Sequence, residues 1–121
     1  MTRIAIIEDE ASIAEMYEFK LKAAGYEVRH ALDGTSGYKL VASYRPHLIL
    51  LDLMMPGISG PDVLKKIRAE DWGKEMKVII LTNINAEQAP DELNSLEISR
   101  YIIKAQTTPK EILEMVEEVL R

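Results

Sequence analysis

Short apolar runs and longer stretches of helical periodicity take turns along this chain. Arg3–Ile7 (RIAII) is a β-branched run of the kind that a strand buried on both faces requires. Ala11–Ala24 then carries apolar positions at 13, 16, 17, 20/21 (counting the Lys20 stem) and 24, which is helix spacing, and Gly25 is placed to cap it. Glu27–Ala31 reads as a second, weaker strand at a sheet edge. Asp33-Gly34 marks a turn, and Thr35–Tyr44 is a second helix closed before Pro46. Leu48–Leu51 is the most apolar strand. Pro56, Gly57 and Gly60 make a loop, and Ser59 or Gly60 caps a third helix with Pro61 at its first position, running to about Glu70.

Lys77–Leu81 (KVIIL) is the fourth strand. Ala86–Leu96 is predicted to hold a fourth helix that starts near Pro90 or is irregular before it, since proline interrupts a helix interior. Arg100–Ile103 is the fifth strand. Thr108-Pro109-Lys110-Glu111 has the form of a capping box, and the helix that follows puts Ile112, Leu113, Val116, Val119 and Leu120 on one stripe. Strands and helices alternating in this way predict an α/β domain over residues 1–121, with a five-stranded parallel sheet and five helices on both its faces.

Composition narrows the chemistry. With 121 residues, 47% apolar and 29% charged, the chain has the make-up of one ordinary globular fold. It has no cysteine, which excludes disulfides, Cys-based zinc sites and thiol nucleophiles. His30 and His47 are in no metal-ligand spacing. A net charge of −5 argues against direct nucleic-acid binding, and no apolar run is long enough for a membrane span. Acidic residues come too early for a secretory signal, so a cytoplasmic location is expected. The outer positions of the last helix (Lys110, Glu111, Glu114, Glu117, Glu118) read as solvated, which points to a monomer or a weak dimer.

In an open parallel sheet the functional crevice lies outside the carboxyl ends of the strands. The first strand delivers Glu8 and Asp9 there, the third Asp52, the fourth Thr82 and the fifth Lys104. Any one of these is an ordinary solvated strand end; four strand ends together are not. Three carboxylates against one ammonium leave two uncompensated negative charges, and such crowding raises carboxyl pKa values. An all-oxygen site of this charge suits Mg²⁺, and it is built to receive a phosphoryl group, with Asp52 as the nucleophile and Thr82 and Lys104 as donors. Glu10 reads as a helix-start charge.

These residues resemble the receiver domain of two-component response regulators over essentially the whole chain, Arg3 to Leu120. The likeness is carried by Ile6-Ile7-Glu8-Asp9-Glu10, by Leu50–Gly60 with its D-x-x-M-P-G-x-x-G pattern, by Ile80-Leu81-Thr82 and by Tyr101-Ile102-Ile103-Lys104. The resemblance implies a flavodoxin-like, doubly wound sheet in the order 2-1-3-4-5. It implies a phosphorylation-activated signalling switch rather than an enzyme with an external substrate. Asp52 would accept a phosphoryl group from a histidine kinase or phosphotransfer protein. Glu8, Asp9, Asp52 and the Met54 backbone carbonyl would hold Mg²⁺, Lys104 would contact the phosphoryl group, and Thr82 and Tyr101 would form the switch. The surface from roughly Pro90 to Leu120 would meet a downstream effector, or an output domain C-terminal to Arg121. A pseudo-receiver, binding partners without phosphorylation, is the alternative. A Mg²⁺-dependent phosphatase is disfavoured, because its second aspartate would fall at Met54.

Two positions depart from the family's pattern. Ala105 stands where proline usually follows the lysine, often after a cis bond. A cis bond before a non-proline costs about 2.5–4 kcal/mol, so either a trans bond with a rearranged loop or a strained one is expected. Asn83 replaces a small residue, and either narrows access to the site or bonds the phosphoryl group. Met54 and Ile84, both apolar, predict slow loss of the phosphoryl group, since neither positions an attacking water.

Overall fold

The computed structural model describes all 121 residues. Five strands, β1 (Arg3–Ile7), β2 (Glu27–Ala31), β3 (Leu48–Leu51), β4 (Lys77–Thr82) and β5 (Arg100–Ile103), alternate with helical elements. Four of these are α-helices: α1 (Ala11–Ala23), α2 (Gly34–Tyr44), α3 (Gly60–Ala69) and α4 (Pro109–Leu120). The strands form one parallel sheet in the order β2-β1-β3-β4-β5, as the resemblance implied. No helix is long and apolar enough to cross a membrane.

The sheet is covered on both sides, which is why its central strands read as continuous apolar runs. Ile4, Ile6, Leu48, Leu50, Ile79 and Leu81 pack with Ala14, Tyr17 and Leu21 of α1 and Ile112 and Val116 of α4. Their neighbours Ala5, Ile7, Ile49, Leu51, Val78 and Ile80 face the other way, against Val41 of α2 and Val63, Leu64 and Ile67 of α3. Each such buried side chain contributes about 1.5–3 kcal/mol over an exposed one, so slippage of a strand by one residue is costly.

Local signals set the helix ends. Gly25, at φ +99°, closes α1: its N–H donates to Lys22 O at 3.0 Å, and the Tyr26 N–H reaches Leu21 O at 3.2 Å. Asp33 caps α2 by accepting from Ser36 N at 2.7 Å. Ser59 rather than Gly60 is the cap of α3, which starts at Gly60. Thr108 and Glu111 form the reciprocal capping box that opens α4.

The fourth predicted helix is absent as an α-helix. Ala89 and Pro90 are both extended (ψ 145° and 135°), Ala89 because a residue before proline avoids the α region. They divide Ala86–Leu96 into two short 3-10 turns, Ala86–Gln88 and Asp91–Ser95, so the sheet carries four α-helices instead of five. Buried Leu93 and Leu96 anchor the second turn on the α3 side of the sheet. Two residues of α3 hold it there. Lys65 pairs with Glu92 at 2.6 Å, and the Arg68 guanidinium donates to Leu96 O at 2.9 Å and Glu97 O at 3.1 Å. The same guanidinium reaches Gly73 O and Met76 O at 2.7 and 2.8 Å, tying the end of α3 to the start of β4.

Candidate functional site

All five strands point the same way, so the residues after their last positions meet at one sheet edge. Ile7 of β1 is paired with Leu51 of β3, which sets Glu8 beside Asp52. The Asp52 N–H donates to Ile7 O at 3.0 Å and fixes that step. Thr82 is paired with Ile103, so Lys104 enters the same crevice from the next strand.

The carboxylate oxygens of Glu8, Asp9 and Asp52 lie within 4.8 Å of one another. Glu8 and Asp52 are buried, and Asp9 is the more exposed of the three. The Lys104 amine, itself nearly buried, donates to Glu8 Oε1 and, at 3.3 Å, to Asp52 Oδ2. Burial above all lifts the Glu8 carboxyl, against the pull of its bond to Lys104 and with a further push from neighbouring Asp52, to about 7 in all. Burial works against the Lys104 charge, but its bond to Glu8 and the field of Asp52 outweigh that and hold the amine above its usual value. The set matches a divalent cation of the Mg²⁺ kind: every donor is a hard oxygen, the oxygens are already gathered, and one ammonium does not balance three carboxylates.

Glycine shapes the loop carrying Asp52. Gly57 sits at φ +79°. At Gly60 a Cβ would come 2.3 Å from Asp52 O and 2.7 Å from Leu53 Cα, so only glycine lets α3 begin against the Asp52 backbone. Met54 presents an exposed side chain, and its N–H donates to Asp52 Oδ1 at 3.3 Å. Asp9, Leu53, Met54 and Pro56 line a depression of about 470 Å³ beside the carboxylates. A larger groove of about 620 Å³, lined among others by Thr2, Arg45 and Trp72, lies at the opposite edge of the sheet, away from these groups.

Thr82 and Tyr101 meet at the backbone of one residue, Ile84. Thr82 is buried, and its Oγ1 accepts from Ile84 N at 3.4 Å; the Tyr101 hydroxyl donates to Ile84 O at 2.7 Å. Sequence reasoning noted Ile84 only as an apolar flank, because side-chain identity says nothing of a role played by an amide. The Lys104–Ala105 bond is trans, and residues Lys104–Gln106 form a 3-10 turn, the rearranged loop that was one of the two expectations. Asn83 is engaged with that turn: its Oδ1 accepts from Ala105 N at 3.1 Å. The sequence contained the signal, since Asn83 and Ala105 are each one step beyond a site residue on neighbouring strands.

The family profile described as response regulator receiver domain matches residues 4–117. The DNA-binding dual master transcriptional regulator RpaA of Synechocystis is 36% identical over 88 residues, covering 73% of this chain and 36% of that longer protein. Among solved structures, the chemotaxis response regulator CheY4 of Vibrio cholerae superposes with a TM-score of 0.90 at 25% identity, covering 98% of both chains. The response regulator TrrA of Thermotoga maritima, solved in complex with Mg²⁺ and beryllofluoride, gives 0.85 at 31% identity, covering 98% of this chain and 99% of that one.

Proposed function

Since the chain belongs to the response regulator receiver family, we propose that it is a switch thrown by phosphorylation of Asp52, the phosphoryl group coming from a histidine kinase or phosphotransfer protein. The observation that carries this reading is the Lys104 amine bridging the Glu8 and Asp52 carboxylates within a cluster of three. A carboxylate oxygen of Asp52 forms a P–O bond as the P–N bond of a donor phosphohistidine breaks, the electron pair leaving on the imidazole nitrogen. Lys104 lies within reach of the incoming oxygens and meets their charge as it arrives. Glu8, Asp9 and Asp52, with the Met54 carbonyl, would hold Mg²⁺, which supplies charge neutralisation of the phosphoryl oxygens when bound.

The charge then acts through Thr82 and Tyr101. A phosphoryl oxygen accepts the Thr82 hydroxyl proton, turning an oxygen that now serves the Ile84 N–H. Tyr101 holds the Ile84 carbonyl, so movement of the backbone on either side of Ile84 reaches both the 84–98 segment and β5. The surface from Pro90 to Leu120 is accordingly the output face, read by an effector protein or an attached output domain. The RpaA likeness supports the second form, since the matched region is about a third of that protein.

The test is intact-mass measurement after incubation with acetyl phosphate and Mg²⁺, on the natural chain and on Asp52→Asn. One phosphoryl group on the first and none on the second is expected. A mass unchanged in both, with no beryllofluoride response, would favour the phosphorylation-independent binding module instead.

A further inference from the structure

The paired strands β4 and β5 end together at Thr82 and Ile103. Beyond that step the backbone ladder stops, because Lys104–Gln106 turns into a 3-10 helix closed by Thr107 N donating to Lys104 O. The opening N–H groups of such a turn have no partner within it. Ala105 supplies one of them, and the Asn83 carboxamide takes it at 3.1 Å. The donor is an N–H, so the atom facing it must be the amide oxygen. This single bond extends the ladder by one rung, made by a side chain. Lys104 is thereby held from both sides: through Ile103 by the ladder, and through Ala105 by Asn83.

We propose that Asn83 is a positioning residue for Lys104, clamping the turn from which the amine reaches Glu8 and Asp52 and joining it to the strand that carries Thr82. The effect on labelling rests on the phosphoryl-acceptor reading, whereas the clamp itself is independent of it. An amine that wanders from its place loses much of its worth, since displacements of about 1 Å cost up to about 100-fold in reactivity. An asparagine at this point therefore does more than crowd the site: its acceptor is committed to Ala105.

Two measurements test this. The first follows the Lys104 side-chain ¹³Cε signal, which senses the contact with Glu8 and Asp52. Asn83→Ala should move it towards the position of a free lysine, with the thermal midpoint little changed; an unmoved signal overturns the proposal. The second is a double-mutant cycle on the acetyl phosphate rate. Asn83→Ala should slow labelling roughly fivefold, the loss expected of one ordinary hydrogen bond. In an Ala105→Pro background, which lacks the N–H donor, the same substitution should have no effect, whatever Ala105→Pro does alone. Equal fivefold losses in both backgrounds overturn the clamp. Labelling of Asp52→Asn as strong as that of the natural chain would sink the acceptor reading, and the lysine signal would still decide the clamp.

Discussion

Substituting Glu8→Gln in the metal-free protein should stabilise it at alkaline pH. Burial lifts the Glu8 carboxyl from an ordinary 4.5 to about 7, a net value that already includes the pull of Lys104. Below about pH 4.5 the group is protonated in both the folded and unfolded chain. Between 4.5 and 7 the unfolded chain binds fewer protons, so stability falls as pH rises, and above 7 the loss is complete. At about 1.4 kcal/mol per pH unit the full effect is about 3 kcal/mol. Glutamine does not ionise and escapes it. The stability difference between variant and natural chain, read by urea unfolding in the presence of a chelator, should therefore grow by about 2–3 kcal/mol in the variant's favour between pH 5 and pH 8. With urea slopes of about 1–3 kcal/mol/M, that is a midpoint change of about 0.7–3 M. Added Mg²⁺ should shrink the advantage, because the natural chain keeps a ligand the variant lacks. A difference that stays flat with pH, or that turns against the variant at pH 8, refutes the claim that Glu8 is a buried carboxylate held at a cost.

Gly60→Ala should destabilise the fold by about 1–3 kcal/mol and slow Asp52 labelling, since its Cβ would lie 2.3 Å from Asp52 O; denaturant unfolding beside a phosphorylation time course reads both. Arg68→Met, which leaves the carbonyls of Gly73, Met76, Leu96 and Glu97 without their donor, should cost about 2–3 kcal/mol in urea unfolding while leaving Asp52 labelled. The phosphorylated protein, freed of donor, should keep its added mass well beyond seconds, because Met54 and Ile84 offer no group to orient water; decay within a few seconds contradicts this.

Elements whose signal is local were legible in the sequence. The capping box at Thr108 and Glu111, the cap at Gly25 and the five strands all stand where their residues placed them. The gathering of Glu8, Asp9, Asp52 and Lys104 was legible because parallel strands bring their ends to one edge whatever the loops do. The segment at Ala86–Leu96 was not, because the extended conformation before Pro90 reached further than a mere late start and left too few residues on either side for an α-helix. Arg68 gave no warning of its role: in sequence it is one more basic residue near a helix end, and only the fold brings five carbonyls around it. The Asn83–Ala105 bond had its signal in the two positions one step beyond Thr82 and Lys104, and it needed the pairing of β4 with β5 to be read.

Chemical trapping of the acyl phosphate decides where the phosphoryl group goes. Borohydride reduction of the freshly labelled protein converts a phosphorylated aspartate into homoserine, which peptide sequencing by mass spectrometry locates. Homoserine at position 52 and nowhere else is the expected result. Homoserine at position 9 or 33, or none in protein that has gained the phosphoryl mass, would contradict Asp52 as the acceptor.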